Sequence, residues 1–131
     1  MILDTDLLVG FLRNDTDAVK FFKSLESSDQ QLFITTINSF ELYKGAYNSI
    51  NPEKSLNYVE VLINRFEAIF ELDLISSRIA GKVINHLKKK GNLLDLPDIF
   101  IGSIALANDE TLVTRNINHF KKIPNLNIVK W

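Results

Sequence analysis

Apolar residues along this chain fall into two alternating patterns, short continuous runs and longer segments with helical spacing. Short runs bounded by polar residues predict buried strands, and apolar positions every three or four residues predict helices. Strands are predicted at 2–3, 32–35, 70–72, 111–114 and 127–129. Helices are predicted at 7–12, 19–27, 40–47, 52–70, 76–90 and 97–107, with one helical turn within 116–122.

Strands that alternate with helices predict an α/β fold, with a parallel sheet covered on both faces. Right-handed crossovers then bring the carboxyl ends of successive strands to one edge of that sheet. A length of 131 residues with 46% hydrophobic content fits a single domain over 1–131, and no internal repeat or linker is visible.

Composition removes several classes of function. The chain has no cysteine, which excludes disulfides and cysteine-based zinc sites. No apolar run is long enough to span a membrane and no signal peptide is visible, so a cytoplasmic protein without a membrane partner is expected. The net charge of −1 gives no support for tight nonspecific binding to nucleic acid, so any basic surface must be local.

The segment 95–116 has the most informative pattern. Pro97 fits the first helical position, and Asp98 then falls in the first turn, where the helix dipole favours a carboxylate. Gly102 and Ala105 share a helix face with Asp98, and their small size predicts open space beside the carboxylate. Asn116 follows the next strand, at the edge where open α/β sheets build their sites.

Three acids and one amide are expected at that edge. Asp4 and Asn116 follow strands, while Glu41 and Asp98 are expected in the first turns of helices. Each has a local alternative: Asp4 as a helix cap, Glu41 as the capping-box partner of Asn38, Asp98 as a dipole charge, and Asn116 as a turn residue. Together they predict one crevice, and a set of oxygen ligands without cysteine favours Mg²⁺ or Mn²⁺.

The residues around these positions resemble a known family. The matching segments, in order, are Leu3-Asp4-Thr5, Phe40-Glu41-Leu42 with Gly45, Pro97-Asp98, and Thr114-Arg115-Asn116 with His119-Phe120. They are similar to the motifs of PIN-domain ribonucleases, and most of all to the VapC-like toxins of VapBC toxin–antitoxin pairs. The resemblance implies a three-layer α/β/α fold with a central parallel sheet of four or five short strands. It also implies a Mg²⁺- or Mn²⁺-dependent endoribonuclease with a VapB-like antitoxin as its partner.

The resemblance also assigns roles to residues. Asp4, Glu41 and Asp98 match the catalytic metal ligands, and Asn116 matches a fourth ligand position where many members have aspartate. Four further residues are expected to support the ligands or to contact substrate: Thr5, Asp95, Thr114 and Arg115. Asp6 is expected to have no more than a supporting role, and Lys44 is a candidate phosphate contact. His119 is expected to pack beside Phe120 and not to act as a base.

Two other functions fit parts of the pattern. A strand followed by Asp4-Thr5-Asp6 also opens haloacid-dehalogenase-like phosphatases, in which the first aspartate is the nucleophile. A PIN-like RNA-binding or interaction module that has lost its metal fits Asn116 and the near-neutral charge.

The predicted helix 52–70 carries more apolar surface than one contact with the sheet requires. This surplus predicts a homodimer and a groove for an antitoxin helix, and Phe66 is expected to line that groove. The alternative is that the whole apolar stripe of this helix belongs to the core of the protein.

Overall fold

The computed structural model describes residues 1–92 and 94–131. In chain order its elements are β1 (Ile2–Leu3), α1 (Thr5–Leu12), α2 (Thr16–Glu26), β2 (Phe33–Thr35), α3 (Thr36–Tyr47), α4 (Pro52–Ile63), β3 (Ala68–Phe70), α5 (Leu74–Lys89), α6 (Leu96–Ala107), β4 (Leu112–Val113), α7 (Ile117–Phe120) and β5 (Ile128–Val129).

The strands form one parallel sheet in the order β3-β2-β1-β4-β5. β1 is the central strand, and its Ile2 pairs with Phe33 of β2 on one side and Leu112 of β4 on the other. Helices cover both faces of the sheet and form a separate core cluster on each. The predicted three-layer α/β/α architecture is therefore confirmed.

The two residues of β1 show how the sheet separates two cores, because successive side chains of a strand point to opposite faces. Ile2 is fully buried in a cluster with residues of α5, α6 and α7, whereas Leu3 is fully buried in a cluster with residues of α1 to α4. Burial of this kind contributes about 1.5–3 kcal/mol for each large aliphatic side chain. The residue that follows, Asp4, is thereby held at the carboxyl edge of the central strand.

The predicted helix 52–70 is wrong in its second half. α4 ends at Ile63, with Asn64 as its C-cap, and Ala68–Phe70 instead forms β3 beside β2. Phe66 lies between them and packs edge-on against Phe22, with ring centroids 6.2 Å apart. The apolar spacing continued through this region because Phe66 of the loop and Phe70 of the strand both pack against the core, so strand pairing overrode the helical period.

Two sequence expectations about α3 and α6 also need correction. α3 begins at Thr36, and its capping box joins Thr35 to Asn38, so Glu41 lies in the second turn and is not a capping residue. Gly102 of α6 packs against Ile123, and an added Cβ would lie 2.5 Å from Cδ1 of that side chain. The small residue therefore allows close packing and does not create space beside Asp98.

No helix in residues 1–92 and 94–131 is both long enough and apolar enough to cross a membrane.

Candidate active site

Asp4 is the most buried acid at the carboxyl edge of the sheet, with 6% of its surface exposed. Its backbone N–H donates to the Val113 carbonyl at 2.9 Å, which continues the pairing of β1 with β4. Its side chain accepts two hydrogen bonds, from the Thr5 backbone N–H to Oδ1 at 2.8 Å and from the Thr114 hydroxyl to Oδ2 at 2.6 Å. The first of these caps α1, so the local cap interpretation of Asp4 is met alongside its place at the edge.

Burial raises the pKa of Asp4 from 3.8 to about 7, and the negative charge of Asp6 adds to this effect. The hydrogen bonds from Thr114 and Thr5 lower this pKa, and the more distant charge of Asp98 raises it. A carboxyl group whose ionised form is disfavoured by burial and by a neighbouring acid fits a site that is completed by a cation, because a cation replaces the proton and removes the repulsion.

Asp98 lies in the first turn of α6, as predicted, with 21% of its side chain exposed. Burial raises its pKa most strongly, the charges of Asp95 and Asp6 add to the rise, and the His119 interaction opposes it. Nδ1 of His119 lies 3.1 Å from Asp98 Oδ2, so the ring contacts this acid in addition to any packing beside Phe120 that the sequence predicts. This contact joins α7 to α6, and nothing in the local sequence around His119 indicated it.

Glu41 reaches the edge through a chain of hydrogen bonds. Oε2 of Glu41 accepts from the Thr5 hydroxyl at 2.5 Å, and the same hydroxyl accepts from Asn38 Nδ2 at 2.9 Å. Asn38 is fully buried, and its Oδ1 also closes the capping box with Thr35. Asn38 therefore serves two roles, and the sequence pattern revealed only its position near a helix start.

The remaining predicted residues surround this edge. Asp95 is the exposed N-cap of α6 and makes no side-chain cap hydrogen bond. The Asn116 backbone N–H donates to the Thr114 hydroxyl at 2.9 Å, and no cap hydrogen bond involves its side chain. The Arg115 guanidinium lies 3.7 Å from the centroid of the Trp131 ring, and Lys44 Nζ lies 5.9 Å from the centroid of Phe40.

The acids are coupled by charge without forming a closed cage. In the part of the chain that the structure describes, no three acidic or histidine side chains form a group that could hold a metal ion. The charge of Asp6 nevertheless raises the pKa of both Asp4 and Asp98, and Glu41 is joined to the same edge by Thr5. The edge therefore offers one buried and one partly buried carboxylate with raised pKa values, and further oxygen groups lie around them.

Comparison with known proteins decides the family. The protein-family model of the PIN domain matches residues 1–126 of this chain. The chain belongs to the PIN domain family. It is 30% identical to the ribonuclease VapC2 of Rickettsia felis over 132 residues, covering 99% of this chain and 96% of the relative. It is 29% identical to the ribonuclease VapC1 of Haemophilus influenzae strain R2866 and 28% identical to the tRNA(fMet)-specific endonuclease VapC of Salmonella typhimurium, with the same coverage.

Solved PIN domain structures share the fold along nearly the whole chain. VapBC from Salmonella typhimurium, solved with bound DNA, superposes with a TM-score of 0.90 at 27% identity and covers 99% of this chain and 96% of that one. VapBC2 from Rickettsia felis, bound to a DNA fragment from its promoter, gives a TM-score of 0.89 at 27% identity, with 99% and 97% covered. The predicted resemblance to VapC-like toxins is confirmed.

Proposed function

We propose that this chain is a divalent-metal-dependent endoribonuclease and the toxin component of a toxin–antitoxin pair. The observation that carries the proposal is the pair of acids at the carboxyl edge of a PIN domain sheet, the buried Asp4 and the partly buried Asp98. Relatives that are named as ribonucleases along 99% of the chain support the same activity. With RNA as the substrate, we expect the protein to act in the cytoplasm.

The donor set fits Mg²⁺ or Mn²⁺. Mg²⁺ is usually held by one or two carboxylates together with waters and substrate phosphates, so a closed cage of three acids is not required. Asp4 and Asp98 would hold the ion, with Glu41 and Asn116 as further oxygen ligands. When bound, the metal supplies a Lewis acid and lowers the pKa of a water for attack on a phosphodiester.

The surrounding residues orient the two main carboxylates. Each carboxylate oxygen of Asp4 already accepts one hydrogen bond, from Thr5 or from Thr114, and keeps a further lone pair. Those two donors fix the plane of the carboxylate and hence the direction of its free lone pairs. His119 restrains Asp98 in the same way from the other side, because Nδ1 contacts Oδ2. Thr5 also keeps Glu41 turned towards this edge.

The net charge of −1 gives no overall basic surface, so individual cationic side chains must contact the RNA. Arg115 and Lys44 are the cationic side chains that we propose for contacts with phosphate. One relative is named as a tRNA(fMet)-specific endonuclease, so a structured RNA such as a tRNA is the substrate class to test first.

A groove between α1, α3 and α4 is the proposed site of the antitoxin. It is an open groove with a volume of about 220 Å³ and is lined mainly by apolar and small residues, including Val9, Leu12, Leu42, Gly45, Ala46 and Val59. Glu41 lies at its margin, so a basic side chain on a bound helix would reach the acids and pair with a carboxylate. Phe66, which the sequence analysis placed beside the antitoxin, lies outside this groove and lines a separate pocket with Phe22 and Arg65.

The predicted homodimer is retained as part of the proposal. Leu74 at the start of α5 is 90% exposed and its neighbour Ile75 is 64% exposed, which is unusual for two adjacent large apolar residues. Light scattering at high micromolar concentration measures the mass directly, and a strict monomer would contradict this part of the proposal.

The assay that tests the proposed function uses tRNA and single-stranded RNA with Mg²⁺ or Mn²⁺. Cleavage that is abolished by EDTA and restored by either metal is expected. Turnover of p-nitrophenyl phosphate without cleavage of RNA would support the phosphatase alternative, in which Asp4 is the nucleophile. RNA binding without cleavage at saturating metal would support the metal-free module.

The burial that raises the pKa of Asp4 supports a functional site at this edge, because a bound cation would offset the cost of ionising this acid. In the phosphatase alternative Asp6 would be the second acid, but here its oxygens accept from the Arg115 N–H and the Trp131 indole.

A further inference from the structure

Trp131, the only tryptophan of the chain, contacts two residues at the rim of the acidic edge. Its indole Nε1–H donates to Asp6 Oδ1 at 2.8 Å, across 125 positions of sequence. The face of its ring lies 3.7 Å from the Arg115 guanidinium carbon, and its centroid lies 6.5 Å from that of Phe21. Trp131, which follows β5, therefore contacts both the start of α1 and the segment that follows β4.

Asp6 and Asp4 share a donor. Asp6 Oδ2 accepts from the Arg115 backbone N–H at 2.8 Å, and the Thr114 hydroxyl lies 3.3 Å from the same oxygen. That hydroxyl is much closer to Asp4 Oδ2, at 2.6 Å. A hydroxyl has a single proton to donate, so the two carboxylates compete for it and the shorter distance assigns it to Asp4.

We propose that Trp131 is a positioning residue for the active site, which holds Asp6 so that the Thr114 hydroxyl orients Asp4. The inference rests on the proposed function, because it concerns the same acidic edge. With the indole N–H in place, each oxygen of Asp6 has a donor other than Thr114. Without the indole N–H, Oδ1 of Asp6 has no donor and the Asp6 carboxylate is free to rotate. It then competes with Asp4 for the Thr114 hydroxyl.

Trp131→Phe separates the hydrogen bond from the packing. Phenylalanine keeps an aromatic face for Arg115 and Phe21 and removes the N–H. In RNA-free protein, calorimetric titration with Mn²⁺ should show an affinity about tenfold weaker than wild type, as for the loss of other groups that orient metal ligands. Phe21→Leu is the matched control, because it disturbs the packing of Trp131 and leaves the indole N–H intact. It should lower the melting temperature and leave Mn²⁺ affinity unchanged.

A double-mutant cycle tests whether the effect passes through Asp6. If it does, adding Trp131→Phe to Asp6→Asn should weaken Mn²⁺ binding no further. If the two residues act independently, the fold-loss of Mn²⁺ affinity in the double variant should equal the product of the two single losses. Equal Mn²⁺ affinity for Trp131→Phe and wild type would overturn the proposal, and so would multiplicative effects in the cycle.

A second measurement does not depend on metal. Hydrogen exchange followed by NMR should show faster exchange of the Arg115 and Thr5 amides in Trp131→Phe, because these N–H groups donate to Asp6 and Asp4. If wild type binds no Mn²⁺, the proposed function fails, while amide exchange still decides the positioning role. Unchanged exchange at both amides would refute that role.

Discussion

Replacing Asp4 with asparagine should destabilise the protein at acidic pH and stabilise it at alkaline pH. The pKa of Asp4 rises from 3.8 to about 7 on folding. A group with a raised folded pKa binds a proton more tightly in the native state, so stability falls as pH rises from about 4 to about 7 and is constant above. At about 1.36 kcal/mol per pH unit, this shift corresponds to at most about 4 kcal/mol at pH 8.

The asparagine side chain would remove this penalty at one cost. Its amide keeps an oxygen for one of the two donors, Thr5 N–H or the Thr114 hydroxyl, and loses an acceptor for the other. A lost hydrogen bond of this kind costs about 1–2 kcal/mol. Asp4→Asn should therefore be more stable than wild type at pH 8, by at most about 2–3 kcal/mol, and about 1–2 kcal/mol less stable near pH 4.

Urea denaturation in EDTA at both pH values measures these differences, with Asp29→Asn as the control. Asp29 is an exposed residue in the loop between α2 and β2, and the substitution removes the same charge away from the edge. Its stability difference from wild type should stay within about 0.5 kcal/mol at either pH. If Asp4→Asn destabilises the protein equally at pH 4 and pH 8, the reasoning about its raised pKa is refuted.

Three further substitutions test separate parts of the account. Glu41→Gln should abolish RNA cleavage at an unchanged melting temperature, because its amide oxygen still accepts from Thr5; a parallel loss of fold and activity would assign Glu41 to structure. Asn116→Asp should tighten Mn²⁺ binding in a calorimetric titration, whereas an unchanged titration would place residue 116 outside the metal site. Gly45→Glu should weaken binding of the cognate antitoxin by tenfold or more, about 1.4 kcal/mol, because it puts a charge in the apolar groove. Gly81→Glu is its control, since an added Cβ meets no atom within 4 Å at either glycine, and equal binding by both variants would place the antitoxin elsewhere.

The sequence predicted what local periodicity and strand order determine. Central strands such as Ile2–Leu3 are short, fully apolar and followed by polar residues, so their place in a parallel sheet could be inferred. The first-turn position of Asp98 followed from Pro97 and the apolar helix after it. Long-range hydrogen bonds leave no such trace, and this is why the contacts of His119 with Asp98 and of Trp131 with Asp6 were missed.

The errors share a physical cause. Helical spacing across 52–70 continued into a loop and a strand because Phe66 packs against Phe22 and Phe70 packs against Phe33. Asn38 is a residue type that often caps helices, but Thr35 before it takes that role because the helix starts immediately after β2. Apolar spacing therefore indicated that Phe66 and Phe70 pack against the core but did not identify the loop and the strand that carry them.

The most direct test of the central claim is cleavage of RNA by wild type and Asp98→Asn, purified in parallel and assayed at saturating Mn²⁺. Asparagine keeps the shape of residue 98 and an oxygen for His119, so the variant should fold as wild type does. We expect wild type to cut RNA in the presence of Mn²⁺ and to lose this activity in EDTA, and we expect the variant to show only background cleavage. Wild-type cleavage that persists in EDTA, or full activity of Asp98→Asn, would contradict the assignment of this acidic edge as the metal-dependent nuclease site.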